Sequence, residues 1–170
     1  MEPSQELDAI GWALLQELQE NARLSFSELG RRVGLTPPAV ADRVRRMEEA
    51  GIIRGYRLDV DPAKIGLPLQ AVIRVTHRGV NCLELGRIVS EYPEVTECHR
   101  ITGAESYTMK VALRSVEHLQ ELIDRLMPYG ETVTSIVLSS PVTHRVIERD
   151  LAQGPSAAEG HAAEPAAVAG

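Results

Sequence analysis

The stretch from Ser25 to Gly51 constrains the fold more than any other, because it holds two helix starts and two helix stops in close succession. Ser25-Phe26-Ser27-Glu28 is a Ser-x-x-Glu capping box, where the serine hydroxyl accepts from the N–H three residues on and the glutamate reaches back. It opens a short helix through Val33, and Gly34 ends that helix, as glycine does where the backbone turns left-handed. Thr36 then caps another helix with Pro37 at its first position, where the missing N–H costs nothing, and Gly51 closes it. An earlier helix over residues 8–20, capped by Asp8, carries Leu7, Ile10, Leu14, Leu15 and Leu18 at helical spacing. Gly11 inside it costs about 0.5–1 kcal/mol relative to alanine. Two short helices joined by a tight glycine turn make a helix-turn-helix.

On the last of these helices Val40, Val44 and Met47 fall at i, i+4 and i+7 and face the core. Pro38, Ala39, Ala41, Asp42 and Arg45 then point outward, with Arg43 and Arg46 on the flanks. A helix entering the major groove needs small residues near its N-terminus for close approach, and guanidinium groups to pair bidentately with guanine edges or phosphates. Charge supports that reading. The chain has a formal net charge of -6, yet residues 23–57 hold eight arginines against four acids, a basic island of +4. A solvated helix face is the plainer account of such arginines; capped turn, small residues and basic island together favour double-stranded DNA as the partner. Residues 52–60 are expected to be extended and to run into Asp61-Pro62, a helix breaker and boundary. There Arg54 and Arg57 could touch flanking phosphate or simply stand on the surface.

The second half has another rhythm. Residues 69–77 alternate as a strand with Leu69, Ala71, Ile73 and Val75 on one face. Asn81 caps a helix through Glu91, ended by Pro93. Residues 95–102 and 106–113 read as paired strands around Gly103-Ala104-Glu105. Ser115 caps a helix with Val116, Leu119, Leu122, Ile123 and Leu126 inward, stopped by Pro128, and residues 132–142 form a last strand. The expected class is therefore α+β: an N-terminal helix-turn-helix domain followed by a ferredoxin-like βαββαβ domain. The boundaries read as 1–53 for the first domain, 54–67 for a linker with an extended segment, 68–146 for the second domain, and 147–170 for a tail. That tail has almost nothing bulky to bury and is expected to be disordered.

No run of about 18 apolar residues exists, and no secretory pattern opens the chain, so a cytoplasmic protein without a membrane span is expected. Cys82 and Cys98 fit a reducing compartment, and Cys98 reads as a small buried hydrophobe rather than a redox group. The histidines and cysteines lack metal-ligand spacing, so neither metal nor cofactor is expected.

The segments "LQENARLSFSELGRRVGLTPPAVADRVRRMEEAGIIRGY" and "DPAKIGLPLQAVIRV" resemble the Lrp/AsnC, or feast/famine, transcription regulators. "VTECHRITGAESYTMKV" and "TSIVLS" resemble the effector-binding RAM domain of that family, and the resemblance spans residues 7 to about 145. It implies a DNA-binding regulator, not an enzyme, whose RAM domains pair through their sheets into homodimers that assemble further to octamers. It also implies a small effector, usually an amino acid, bound between dimers beside the loop joining the second and third RAM strands. Carried over, that loop is Thr102, Gly103, Ala104, Glu105, Ser106 and Tyr107, and Thr134, Ser135 and Ile136 match the opposing wall. Gly103 equally suits a hairpin turn, and Tyr107 equally suits packing. Ser106 stands where the family often has an aspartate suited to an effector's ammonium, and Gly11 stands where it often has aspartate. An uncharged or aliphatic amino acid, or a related metabolite, is therefore the expected effector. A rival reading is an enzyme like the sirohaem decarboxylases, which share this architecture; His99 and Arg100 would be its reactive groups.

Overall fold

In the computed structural model, residues 7–77 and 82–153 are described. They divide into two compact units: one holds the chain up to Leu58 together with the chain from Val142, the other spans Asp59–Pro141.

The first unit contains α1 (Ala9–Glu20), α2 (Phe26–Val33), α3 (Pro37–Glu49) and a C-terminal α6 (Arg149–Gln153). Asp8 caps α1 by accepting from the Gly11 N–H at 2.7 Å. Ser25 caps α2 by accepting from the Glu28 N–H at 3.2 Å. The capping box is only half closed, because the Glu28 carboxylate is held by Arg31 at 2.7 Å and Arg32 at 2.9 Å. Two charged donors outcompete one neutral backbone N–H. Gly34 ends α2 at φ 74°. Thr36 occupies the cap position of α3 with extended backbone, but its side chain makes no capping bond. A cap serves the second or third helical N–H, and Pro38 removes one of those two targets.

Leu14, Leu18, Leu29, Val40, Val44 and Met47 form the core of this unit. Leu15, expected in that core, is only half-buried, and Trp12 is the residue α1 buries beside Leu14. Residues 54–60 belong to no helix or strand, and Ile52 and Ile53 turn back on α3, donating to the Met47 carbonyl at 2.9 and 3.1 Å. Pro62 opens a 3-10 turn, Pro62–Ile65, capped by the Asp61 carboxylate, rather than only breaking a helix. Residues 149–153 are helical, and Ile147 is hydrogen-bonded through its backbone to Gln19, so a structureless tail beginning at residue 147 is not what the chain forms. The rest of that expected tail, residues 154–170, lies outside the described residues.

The second unit runs β1 (Leu69–His77), α4 (Cys82–Val89), β2 (Val95–Arg100), β3 (Tyr107–Leu113), α5 (Val116–Leu126) and β4 (Gly130–Ile136). The sheet order is β2-β3-β1-β4, antiparallel throughout, with β1 central. This is the ferredoxin-like βαββαβ arrangement. Both helices cover one face, where Ile73, Val75, Met109 and Leu113 pack against Leu85, Val89, Leu122 and Leu126. A β-carbon on Gly86 would lie 2.9 Å from the Tyr107 hydroxyl, so the bare residue 86 lets α4 and Tyr107 sit close without a shift of that ring. Ser115 caps α5 by accepting from the His118 N–H at 3.2 Å. Asn81, expected to cap α4, lies outside the described residues. Val116, expected inward, is 60% exposed at the first position of α5.

The last strand is Gly130–Ile136 and not 132–142. Its partner β1 begins only at Leu69, after Pro68, and the last bond is Val137 N–H to the Gln70 carbonyl. Beyond it Leu138 is exposed. Among the described residues no helix is long and apolar enough to cross a membrane.

Candidate nucleic-acid interface and effector loop

The N-terminal half of α3 presents a low, open surface. Thr36, Pro37, Pro38 and Asp42 are exposed and Ala39 and Ala41 half-exposed, while Val40 and Val44 turn inward. Short side chains here let a groove approach the helix axis closely, which longer ones would prevent. Arg45 is exposed and bridges Asp42 and Glu49 at 2.5 and 2.7 Å. Its hydrogen bond holds the Asp42 carboxyl below the usual range, and the same pairings raise the guanidinium further. Arg46 lies 3.5 Å from Asp42. Such exposed pairs exchange readily, so a phosphate or base edge can replace the carboxylates.

Arg43 is different. Its side chain is three-quarters covered, and the guanidinium grips both oxygens of Asp8 at 2.9 Å. That grip holds the Asp8 carboxyl below its ordinary value, helped by the capping bond from Gly11. Arg43 thus staples α3 to the start of α1 from its place on the flank of the outward face. On α2, Arg32 bridges Glu28 to Glu17 of α1 at 2.6 Å in the same way. Arg54 and Arg57 make no ion pair among the described residues.

Sequence reading passed over Gly30. A β-carbon there would lie 2.4 Å from the Leu35 carbonyl oxygen and 3.5 Å from Val40 Cγ2, so this glycine sets how closely α2 and α3 approach. The one available signal was a glycine inside a helix four residues before the turn.

In the second unit, residues Thr102 to Ser106 form the β2–β3 connection. Ile101 donates to the Ser106 carbonyl at 3.0 Å and Ser106 donates to the Val75 carbonyl at 2.8 Å, which closes the loop. Gly103 sits at φ 118°, a conformation that favours glycine, with open space where a β-carbon would be. Thr102, Gly103 and Ala104 are exposed, and Glu105 and Ser106 half-buried. Tyr107 points down into the core at 5% exposure.

Thr134, Ser135 and Ile136 pair with Ile73, Val72 and Ala71. Consecutive strand residues point to opposite faces, so Ser135, 3.4 Å from Arg74, lies on the open face while Thr134 and Ile136 lie on the helix face. β1 lies between the β3 end of the loop and Thr134, which separates them by two strand spacings, about 10 Å, or more. A single chain does not bring these two groups together.

His99 and Arg100 do not converge either. His99 is 3.6 Å from Glu97 beside Lys110, whereas Arg100 stands opposite Tyr107. Burial pushes the Cys98 thiol up, which keeps it protonated and unreactive. No group of three histidine, cysteine or carboxylate side chains able to hold a metal occurs among the described residues.

Comparison with known proteins accounts for both units. The AsnC-type helix-turn-helix domain model matches residues 7–48, and the Lrp/AsnC ligand binding domain model matches residues 70–147. The HTH-type transcriptional regulator LrpC of Bacillus subtilis is 37% identical over 134 residues, which cover 79% of this chain and 93% of LrpC. Its solved structure superposes with a TM-score of 0.77 at 36% identity, covering 81% of this chain and 99% of that one. A transcriptional regulator of Neisseria meningitidis, solved as a complex with L-Met, gives a TM-score of 0.78 at 31% identity, covering 83% and 96%.

Proposed function

Because the chain belongs to the Lrp/AsnC family of DNA-binding transcriptional regulators, we propose that it reads its operator with the N-terminal half of α3 and answers to a small amino-acid-like effector at the β2–β3 loop. The observation that carries the first part is the juxtaposition on α3 of Pro38, Ala39 and Ala41 with the displaceable Arg45 and Arg46. Thr36, Pro37 and Asp42 frame that surface. Arg43 acts indirectly, by fixing α3 on α1. The relatives matched are regulators, and the separation of His99 from Arg100 leaves the decarboxylase reading without a site.

Arg45→Ala will weaken operator binding by roughly 5- to 150-fold and relax preference at one base pair. Arg46→Ala, acting on phosphate, will weaken all sequences alike and flatten the salt slope by about one. Gel shifts on operator and on unrelated DNA across a salt series decide between these roles. Operator affinity unchanged in both variants would sink the docking.

For the effector, Gly103 lets a ligand approach backbone, and Ser106 offers a neutral hydrogen bond. The matched Neisseria regulator was solved with L-Met, which fits an apolar amino acid in a loop lacking the family's acid. Thr134, Ser135 and Ile136 lie too far from the loop within one chain, so the opposing wall is assigned to another copy. Dimers through the open sheet face, where Val133 is half-exposed, and octamers of those dimers would supply it. Gly103→Trp will abolish calorimetric binding of L-methionine or L-leucine and leave operator binding without effector intact. Undiminished binding would move the site elsewhere.

A further inference from the structure

The first unit contains a cavity of about 560 Å³ that neither α3 nor the effector loop uses. Its walls are Trp12, Leu15 and Leu18 of α1, Ile52 and Tyr56 of the segment after α3, and Ile147 of the returning C-terminal chain. That volume lies within the roughly 300–1,000 Å³ usual for small-molecule sites. We propose that this cavity binds an organic monocarboxylate with an apolar body, the carboxylate held by Arg54 and Arg57 and the body lying on Trp12.

The charge and lining of the cavity carry the assignment. Arg54 and Arg57 both line the cavity, no carboxylate residue lines it, and neither arginine has an ion pair among the described residues. The wall is therefore cationic in a chain that is acidic as a whole. Of the other polar wall groups, the Tyr56 hydroxyl donates to Glu48 at 3.0 Å and the Gln19 amide is bonded to Ile147, while His144 also lines the cavity. Tyr56, pushed up to about 12 by burial and then by Glu48, stays neutral and adds no negative charge. The arginines that sequence left between phosphate contact and plain surface thus acquire a specific partner.

Trp12 is the chain's only tryptophan, so its emission reports this cavity. The test titrates the full chain with 4-phenylbutyrate and, separately, with the neutral 4-phenylbutan-1-ol. The acid is expected to give a saturable change in Trp12 emission, with an affinity at least about tenfold above that of the alcohol. In an Arg54→Gln/Arg57→Gln variant, checked for an unchanged melting temperature, the acid should fall to the alcohol's affinity. No saturable change with the acid would overturn the proposal, and so would equal affinity for acid and alcohol in the unaltered protein. The latter comparison stands even if the variant fails to fold.

Discussion

Gly30→Ala is expected to lower the melting temperature of the N-terminal unit by about 10 °C or more. The added β-carbon would sit 2.4 Å from the Leu35 carbonyl oxygen, and the obstacle is backbone rather than a flexible side-chain end. Neither α2 nor the turn can yield cheaply. Gly30 also supplies the carbonyl that accepts from Leu35 at 2.9 Å, so moving the turn breaks a bond as well. Overpacking in a close-packed interior costs about 1–3 kcal/mol and occasionally more. A clash with backbone belongs at the upper end, and a unit of this size shifts by roughly 4–8 °C per kcal/mol. Gly34→Ala is the control. Its φ of 74° strains an alanine, but nothing lies within 4 Å of the added carbon, so only the conformational cost of about 1–2 kcal/mol applies. Circular dichroism melts of both variants check the order; Gly30→Ala melting at or above Gly34→Ala would refute the packing argument.

The second large effect centres on Glu94, which precedes β2 and has only 9% of its side chain exposed. It bonds His118 at 3.1 Å and Arg125, both on α5, while Arg125 lies 4.7 Å above the Tyr92 ring. One carboxylate therefore ties the second helix of this unit to the start of its edge strand. Burial alone would raise the Glu94 carboxyl, but its own backbone N–H, Arg125 and His118 outweigh that and hold it below the ordinary value. Glu94→Ala should cost about 2–4 kcal/mol at neutral pH, since two charge-assisted bonds go and two donors are left behind. The sign of the pH dependence follows from the depressed value. The charge contributes in full above the unfolded value near 4.5, and its contribution is lost as pH falls through the lower folded value. The gap in melting temperature between the unaltered protein and Glu94→Ala should stay constant from neutral pH down to about 4.5 and narrow below it. A gap that widens on acidification would contradict the assignment.

Local chemistry made most of the fold legible. Asp8, Ser25, Gly34 and Ser115 mark element ends through bonds reaching no further than four residues, and alternation along 69–77 records the covered face of β1. What sequence could not carry was competition between distant partners. Glu28 looks like half of a capping box until Arg31 and Arg32 stand beside it, and nothing near Arg43 in sequence foretells that Asp8, 35 residues away, meets it. The strand over 132–142 was overrun for the same reason, since β4 ends where β1 stops offering carbonyls. On the candidate sites, the open face of α3 was readable from spacing. The opposite facing of Ser135 from Thr134 was readable too, from the period of a strand. The distance between loop and β4 was not, because it depends on β1 lying between them.

The bond pair between Gln19 and Ile147 joins positions 128 residues apart, whereas the contacts among α1, α2 and α3 close within the first fifty or so. During synthesis those helices can therefore pack as soon as they emerge, on the fast timescale of local contacts. The wall that Ile147 supplies cannot be added until β4 has already left the ribosome. The N-terminal unit is consequently the first to begin and the last to be finished, and its three helices are assembled before the Ile147 wall of the cavity exists.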